Sequence, residues 1–282
     1  MGKNIKKSYT GERMETHVFT TATIEHLHRY TFIKPYVRNK VVLDIACGVG
    51  YGSNILATTA SKVFGVDISD EAISYAKNNY SNDKTTFHKG STSNIPLESK
   101  SIDIIVSFET LEHHSEHNEM MGEVLRVLKN NGILIISSPD KYNYSILPNF
   151  NNPFHVKELL KEEFVSLMKE YFKYLYFFSQ KTISGSLILL DSQNSDSDFK
   201  MFSGDFKEIK SFEFQNIARF NLCIASNEAI EKENIVLNSF FIGDEIINTQ
   251  LQLQIDNLKK SYSFRLGNFL INPIKKIISF FK

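Results

Sequence analysis

The sequence predicts an α/β fold: a parallel sheet with helices on both faces. Short runs of aliphatic and β-branched residues recur between positions 41 and 139, amphipathic stretches at helical spacing separate them, and the first run ends in a glycine-rich turn. A chain of 282 residues, 42% of them hydrophobic and 23% charged, is long enough to bury one ordinary core with appendages around it.

Five strands are expected, at about Val41–Ile45, Val63–Val66, Thr85–His88, Ile102–Ser107 and Ile133–Ser137. Three helices fall between them. One opens with Ser69 as N-cap, carries Asp70 and Glu71 at its positive end, and buries Ala72, Ile73 and Ala76. Another runs from about Glu116 to Leu128, turns Met120, Met121, Val124, Leu125 and Leu128 inward, and stops at Asn130, Asn131 and Gly132. Residues 1–40 form an N-terminal lid segment with a helix at Thr23–Phe32, and residues 41–227 the main domain. Within that domain, 156–172 reads as an amphipathic helix. The stretch from 173 to 227 turns β-rich, with YLYFF, SLILL and FNLCIA broken by the polar QNSDSD, as in a hairpin carrying an insertion. Residues 228–282 are a helical extension with a basic and apolar tail, in which Ile247, Leu251, Ile255, Leu258 and Tyr262 fall at coiled-coil spacing.

Composition excludes several functions. Thirty-two basic residues balance thirty-two acidic ones, which argues against a duplex-binding surface. Two cysteines, Cys47 and Cys223, cannot build a disulfide framework or a four-thiolate zinc site, and they suit a reducing compartment. The first residues have no apolar core for a signal peptide, and no run of apolar residues is long enough to span a bilayer.

The chemistry concentrates in LDIACGVGYGS, residues 43–53, where a strand ends in glycines that let a backbone approach a ligand. Its G-x-G-x-G spacing is not the G-x-G-x-x-G of a dinucleotide site, and no Lys-Ser or Lys-Thr follows to make a phosphate loop. Nineteen residues after Gly48, Asp67 ends the second strand, where a carboxylate can accept both hydroxyls of a ribose. HHSEH at 113–117 matches an inverted zinc-protease pattern, but it straddles a strand exit and a helix start, so no metal is expected; His114 and His117 are expected to face solvent. His113 and His155 both lie beyond strand ends on the crevice side and are the candidate catalytic bases; their alternatives are loop shaping and satisfaction of helix-terminal backbone groups. Cys47 reads as packing beneath the turn.

The pieces LDIACGVGYG, VFGVDIS, FHKGSTSNIP, IDIIVSFETLEH and RVLKNNGILIISSP together resemble the class I S-adenosylmethionine-dependent methyltransferases, from Val41 to Pro139. The resemblance implies a Rossmann-like seven-stranded sheet and S-adenosyl-L-methionine as cofactor. Asp44 and Gly48 would then lie near its methionine portion, Asp67 would hold its ribose, Ser91 and Thr92 would border its adenine, and Phe108 and Glu109 would close the floor below the sulfonium; Ala46, Gly50 and Ile68 complete the implied cofactor-binding set. Ala46 stands where many members have glycine, and Ser91 where many have an acidic residue. TGER, EHLHRY, SFETLEHH and NPFHVKEL are similar to a narrower group found with bacterial surface-polysaccharide glycosyltransferases. That likeness implies a carbohydrate acceptor, as a nucleotide-sugar or lipid-linked glycan. Arg29 and Tyr30 of the N-terminal helix, and Glu112, are candidates for the substrate or lid side, the alternative for Arg29 and Tyr30 being packing and a surface ion pair with Glu25. A quinone-like or other lipid precursor and a scaffold without turnover are the alternatives. The implied location is cytoplasmic. Residues 261–282 suit either an interfacial helix at the inner face of the membrane or a contact in a homo-oligomer.

Overall fold

Residues 14, 19–183, 201–204, 209–212, 217–230 and 239–266 are described by the structure, a computed structural model. Strands β1 (Val41–Ile45), β2 (Lys62–Asp67), β3 (Thr85–Lys89), β4 (Ile102–Phe108), β5 (Leu128–Pro139), β6 (Tyr174–Gln180) and β9 (Phe220–Ser226) form one seven-stranded sheet, ordered β3-β2-β1-β4-β5-β9-β6. β7 (Met201–Gly204) and β8 (Ile209–Phe212) pair as a small antiparallel ribbon inserted between β6 and β9. The first five strands run parallel, while β9 lies antiparallel to both β5 and β6. Strand order reverses between β1 and β4, which opens a crevice at their C-terminal ends.

Alternation along the strands sorts the core into two layers. Leu43, Ile45, Ile105 and Leu134 face α5 (His117–Val127) and α6 (Lys161–Tyr171) through Met120, Met121, Val124, Phe164 and Met168. Val42, Ile104, Val106 and Ile135 face the other way, toward Ile33, Val37 and Leu56 of the segment formed by α1 (Thr21–Phe32), α2 (Lys34–Val37) and α3 (Tyr51–Ala57). Each such aliphatic side chain contributes about 1.5 to 3 kcal/mol on burial. The N-terminal helices therefore complete a layer of the core. α4 (Asp70–Tyr80) is capped by Ser69 as its sequence predicts, with Ala72 N–H donating to the Ser69 hydroxyl.

Some expected boundaries move. Leu128 leaves the helix for β5, pairing with Ile102 and packing where any side chain on Gly132 would collide with it, so Asn130–Gly132 lie inside β5 rather than ending α5. The helix expected at 156–172 begins at Lys161, because the N–H groups of Val156 and Lys157 donate to the Glu112 carbonyl and Leu159 bridges to Asp140. Of the extension, residues 228–230 and 239–243 are not helical, and in α7 (Asp244–Lys260) the expected seam is half-buried at Ile247 and exposed at Leu251, Ile255, Leu258 and, just beyond the helix, Tyr262. SLILL and residues 267–282 lie outside the described residues. Among those described, no helix is long and apolar enough to cross a membrane.

Candidate functional site

The glycine turn joins β1 to α3 and is held by the end of β2. Gly48 N–H donates to Asp67 Oδ2 at 2.9 Å, and Ser69 N–H donates to Asp67 Oδ1 at 2.9 Å. Cys47 N–H donates to the Val66 carbonyl and Gly50 N–H to the Cys47 carbonyl, closing the turn. Gly48 is left-handed, and a side-chain carbon there would meet nothing within 4 Å, so it would stand in open space above the turn. Gly50, also left-handed, has no room for a side chain within the protein: its side-chain carbon would lie 2.8 Å from Ala76 and 2.9 Å from the Phe87 ring. Ala46 is exposed and also left-handed, with φ of 56°, so the cost of lacking glycine there is backbone strain. Cys47 is buried, and burial raises its thiol far from ionisation, in keeping with packing.

Asp44 works from beneath this turn rather than in its mouth. It is fully buried, accepting from Ser53 Oγ at 2.6 Å and from Tyr30 Oη at 3.1 Å. Burial lifts its carboxyl to about 7, against the lowering effect of those two donors. Tyr30 reaches it only because position 52 is glycine; a side-chain carbon there would lie 2.0 Å from Tyr30 Cζ. Beyond β2, Ile68 is 68% exposed beside Asp67, and Ser91 Oγ lies 3.3 Å from Ser93 Oγ in the loop after β3.

At the end of β4, Phe108 is buried edge-on to Tyr30, and Glu109 is held left-handed at φ 53°. Ser137 Oγ donates to Glu109 Oε1 at 2.6 Å, and Arg29 Nη1 lies 3.5 Å from the same oxygen. Arg29, expected on the lid, is 2% exposed; it donates to Gln180 Oε1 at 2.7 Å and lies over the Phe220 ring. It is buried beside Glu109 at the end of β4 rather than lying over the site, and its buried Nε has no partner.

The two candidate bases meet on the far side. His113, in a short 3₁₀ turn at Leu111–His113, lies edge-on to His155 with ring centroids 5.2 Å apart, and its Nδ1 is 3.0 Å from the Phe154 carbonyl. His155 Nδ1 is 2.5 Å from Glu158 Oε1, which also accepts from Ser145, while its Nε2 accepts from Asn152 Nδ2 at 2.9 Å. Since Asn152 Oδ1 accepts the Phe154 N–H, the amide orientation is determined by its own loop. Tyr144 stacks on His155, and the Arg219 guanidinium covers Tyr144 at 4.8 Å. Tyr144 and Arg219 line an open groove of about 490 Å³ together with Phe150 and Lys181, and His155 adjoins it through the stacked Tyr144 ring. Glu112 is buried beside them, and burial together with Glu109 holds its carboxyl well above the usual range.

His114 and His117 do not face solvent as expected. His117 is 5% exposed with Nε2 at 2.8 Å from the Leu111 carbonyl, and His114 is half-buried against its ring. Reading the sequence did not single out Ser53, Tyr144, Glu158 or Arg219. Glu158 carried a signal, since it stands three residues after His155 in NPFHVKEL; the others carried none.

A family model described as a methyltransferase domain matches residues 37–187, more than half of the chain. The chain is 30% identical over 142 residues to a Mycobacterium tuberculosis protein named "Probable S-adenosylmethionine-dependent methyltransferase Rv3030", covering 49% of this chain and 50% of that one. It is 28% identical over 174 residues to the Campylobacter jejuni ubiquinone/menaquinone biosynthesis C-methyltransferase UbiE, covering 57% of this chain and 73% of that one. The chain thus spans about half the length of the first curated relatives it matches. Among solved structures, the YcgJ protein of Bacillus subtilis superposes with a TM-score of 0.51 at 19% identity, over 72% of this chain and all of that one, a likeness of fold.

Proposed function

The chain belongs to the methyltransferase-domain family matched over residues 37–187, and from that premise we propose that it transfers a methyl group from S-adenosylmethionine to a hydroxyl or amine of a carbohydrate acceptor. The observation that carries the cofactor half is the Asp67 carboxylate, aimed by two backbone N–H groups beside a glycine whose missing side chain leaves space. A carboxylate so oriented suits ribose hydroxyls, and the exposed Ile68 next to it suits the flat face of an adenine.

When bound, the cofactor supplies an electrophilic methyl group, so the chain's own tasks are alignment, exclusion of water and removal of a proton. Phe108, packed against Tyr30 and Arg29, makes the floor at the end of β4 where the acceptor and cofactor would meet. Glu158 holds His155 by Nδ1, which leaves Nε2 as the basic nitrogen once Asn152 yields to an acceptor.

A polar acceptor is favoured by the cationic groups that line the groove, Lys181 and Arg219, beside the aromatic faces of Tyr144 and Phe150. A quinone or sterol would leave those polar groups unpaired. The exposed Tyr262, Phe264 and Leu266, beside Lys259, Lys260 and Arg265, form the described start of the tail that would bring the enzyme to an anionic membrane surface and a lipid-linked glycan.

Calorimetry tests the cofactor half: Asp67→Ala should weaken S-adenosylmethionine binding by roughly 2 to 4 kcal/mol, and unchanged affinity overturns the reading. For the acceptor, cell-envelope glycan from cells with and without the gene should differ by the mass of methyl groups; identical glycan overturns a carbohydrate substrate.

A further inference from the structure

We propose that Glu112, His113 and His155 form a binding site for one divalent transition-metal ion on the acceptor side of the crevice. The proposal rests on the methyltransferase reading for its placement, and it changes the work of the two imidazoles from taking a proton to holding an ion.

Three features of the structure lead there. A carboxylate oxygen of Glu112 and a ring nitrogen of each histidine all lie within 4.8 Å of one another, so small side-chain movements would bring them to a common centre. Glu112 is 1% exposed, yet its Oε2 has no hydrogen-bond partner, and an enclosed carboxylate oxygen of that kind is costly unless something electropositive meets it. Both histidines are held from behind in the manner of metal ligands: Nδ1 of His155 by the Glu158 carboxylate, and Nδ1 of His113 by the Phe154 carbonyl. Such contacts place the proton on Nδ1 and present Nε2 as a donor of electrons. His155 Nε2 now accepts from the Asn152 amide, a contact that an ion would replace.

Two imidazoles and one carboxylate match Zn²⁺, Co²⁺, Mn²⁺ or Fe²⁺ rather than Ca²⁺ or Mg²⁺, which favour oxygen donors. Three protein ligands leave positions open, and the cluster borders the groove through Tyr144, which stacks on His155. An acceptor oxygen entering there would meet the ion and be polarised by it. The ligand set differs from the HHSEH motif: His117 is spent on the Leu111 carbonyl, and His155 replaces it from a distant loop.

The test uses the full chain, stripped with chelator and titrated with Co²⁺, whose visible absorption reports nitrogen and oxygen ligation. One equivalent should bind with intensified visible bands. Glu112→Gln and His155→Ala should each weaken binding roughly tenfold or more, Glu158→Gln by about tenfold, and His88→Ala on β3 should leave it unchanged. A spectrum that stays that of the aqueous ion, or Glu112→Gln and His155→Ala proteins that fold and bind Co²⁺ as tightly as the parent, overturns the site. Calorimetry with S-adenosylmethionine on the same samples separates the two readings. Cofactor binding without a Co²⁺ spectrum overturns the metal site alone; a Co²⁺ spectrum sensitive to Glu112→Gln without cofactor binding supports the metal site and overturns the methyltransferase reading.

Discussion

On the β1–β2 side of the crevice Asp67 is held by backbone amides, whereas on the β4–β5 side the holding groups are side chains from distant positions, Arg29 and Ser137 on Glu109 and Asn152 and Glu158 on His155. Asp67 is aimed by the N–H groups of Gly48 and Ser69, within one βαβ unit. His155 is aimed by Glu158, Asn152 and the stacked Tyr144, and it meets His113 from a loop that the end of β5 leads into. A site made by backbone needs glycines and a carboxylate at fixed spacing. One made by side chains needs only that the fold bring suitable groups together.

Four experiments sharpen or break that contrast. The largest effect belongs to Asp44, buried under the backbone-made half. Its native carboxyl keeps a proton up to about pH 7, while an ordinary aspartate releases it near 3.8, so between those values the native state binds the extra proton. Stability should therefore fall as pH rises from about 4 to 7 and level off above that. Three units at about 1.4 kcal/mol each amount to about 4 kcal/mol. Urea titrations across that range should show the slope in the parent and its loss in Asp44→Asn; equal slopes would mean the carboxyl is solvated.

Next, Gly52→Ala drives a carbon into Tyr30 and should cost about 3 kcal/mol, typical of overpacking. Thermal melts should show partial recovery when Tyr30→Ala is added, because the second change removes the colliding ring. If the pair simply adds, the Tyr30–Gly52 contact is not what joins α1 to the turn.

On the side-chain half, His155→Gln should lower turnover about a hundredfold while S-adenosylmethionine affinity stays within a few-fold, whether the imidazole takes a proton or holds an ion. Equal losses in both would tie the two halves into one unit. The smallest effect is at Ala46, where glycine should relieve left-handed strain and stabilise the fold by about 1 kcal/mol. Denaturant midpoints would register it, and a destabilisation would show that the methyl group contributes packing on the turn.

Much of the architecture was legible before the structure. Five parallel strands, the Ser69 cap and the glycine turn follow from local patterning, since strand alternation, helix spacing and turn geometry are written within ten or so residues. Boundaries that depended on distant partners were not. The helix ending at Val127 is decided by Leu128 joining Ile102 in the sheet, and the late start of α6 by donors already committed to the Glu112 carbonyl.

The same division runs through the site. That Gly48 lies in the turn after β1 and Asp67 at the end of β2 was legible in the sequence, because both belong to one strand–turn–strand unit. Sequence could name His113 and His155 but not join them, nor show that Arg29 is buried, that a side chain on Gly50 would collide with Ala76 and Phe87, or that Glu112 has an oxygen without a partner. Those properties depend on burial and on which side chains meet across the sheet edge. Both are set by how the layers close over the sheet, which no local spacing encodes.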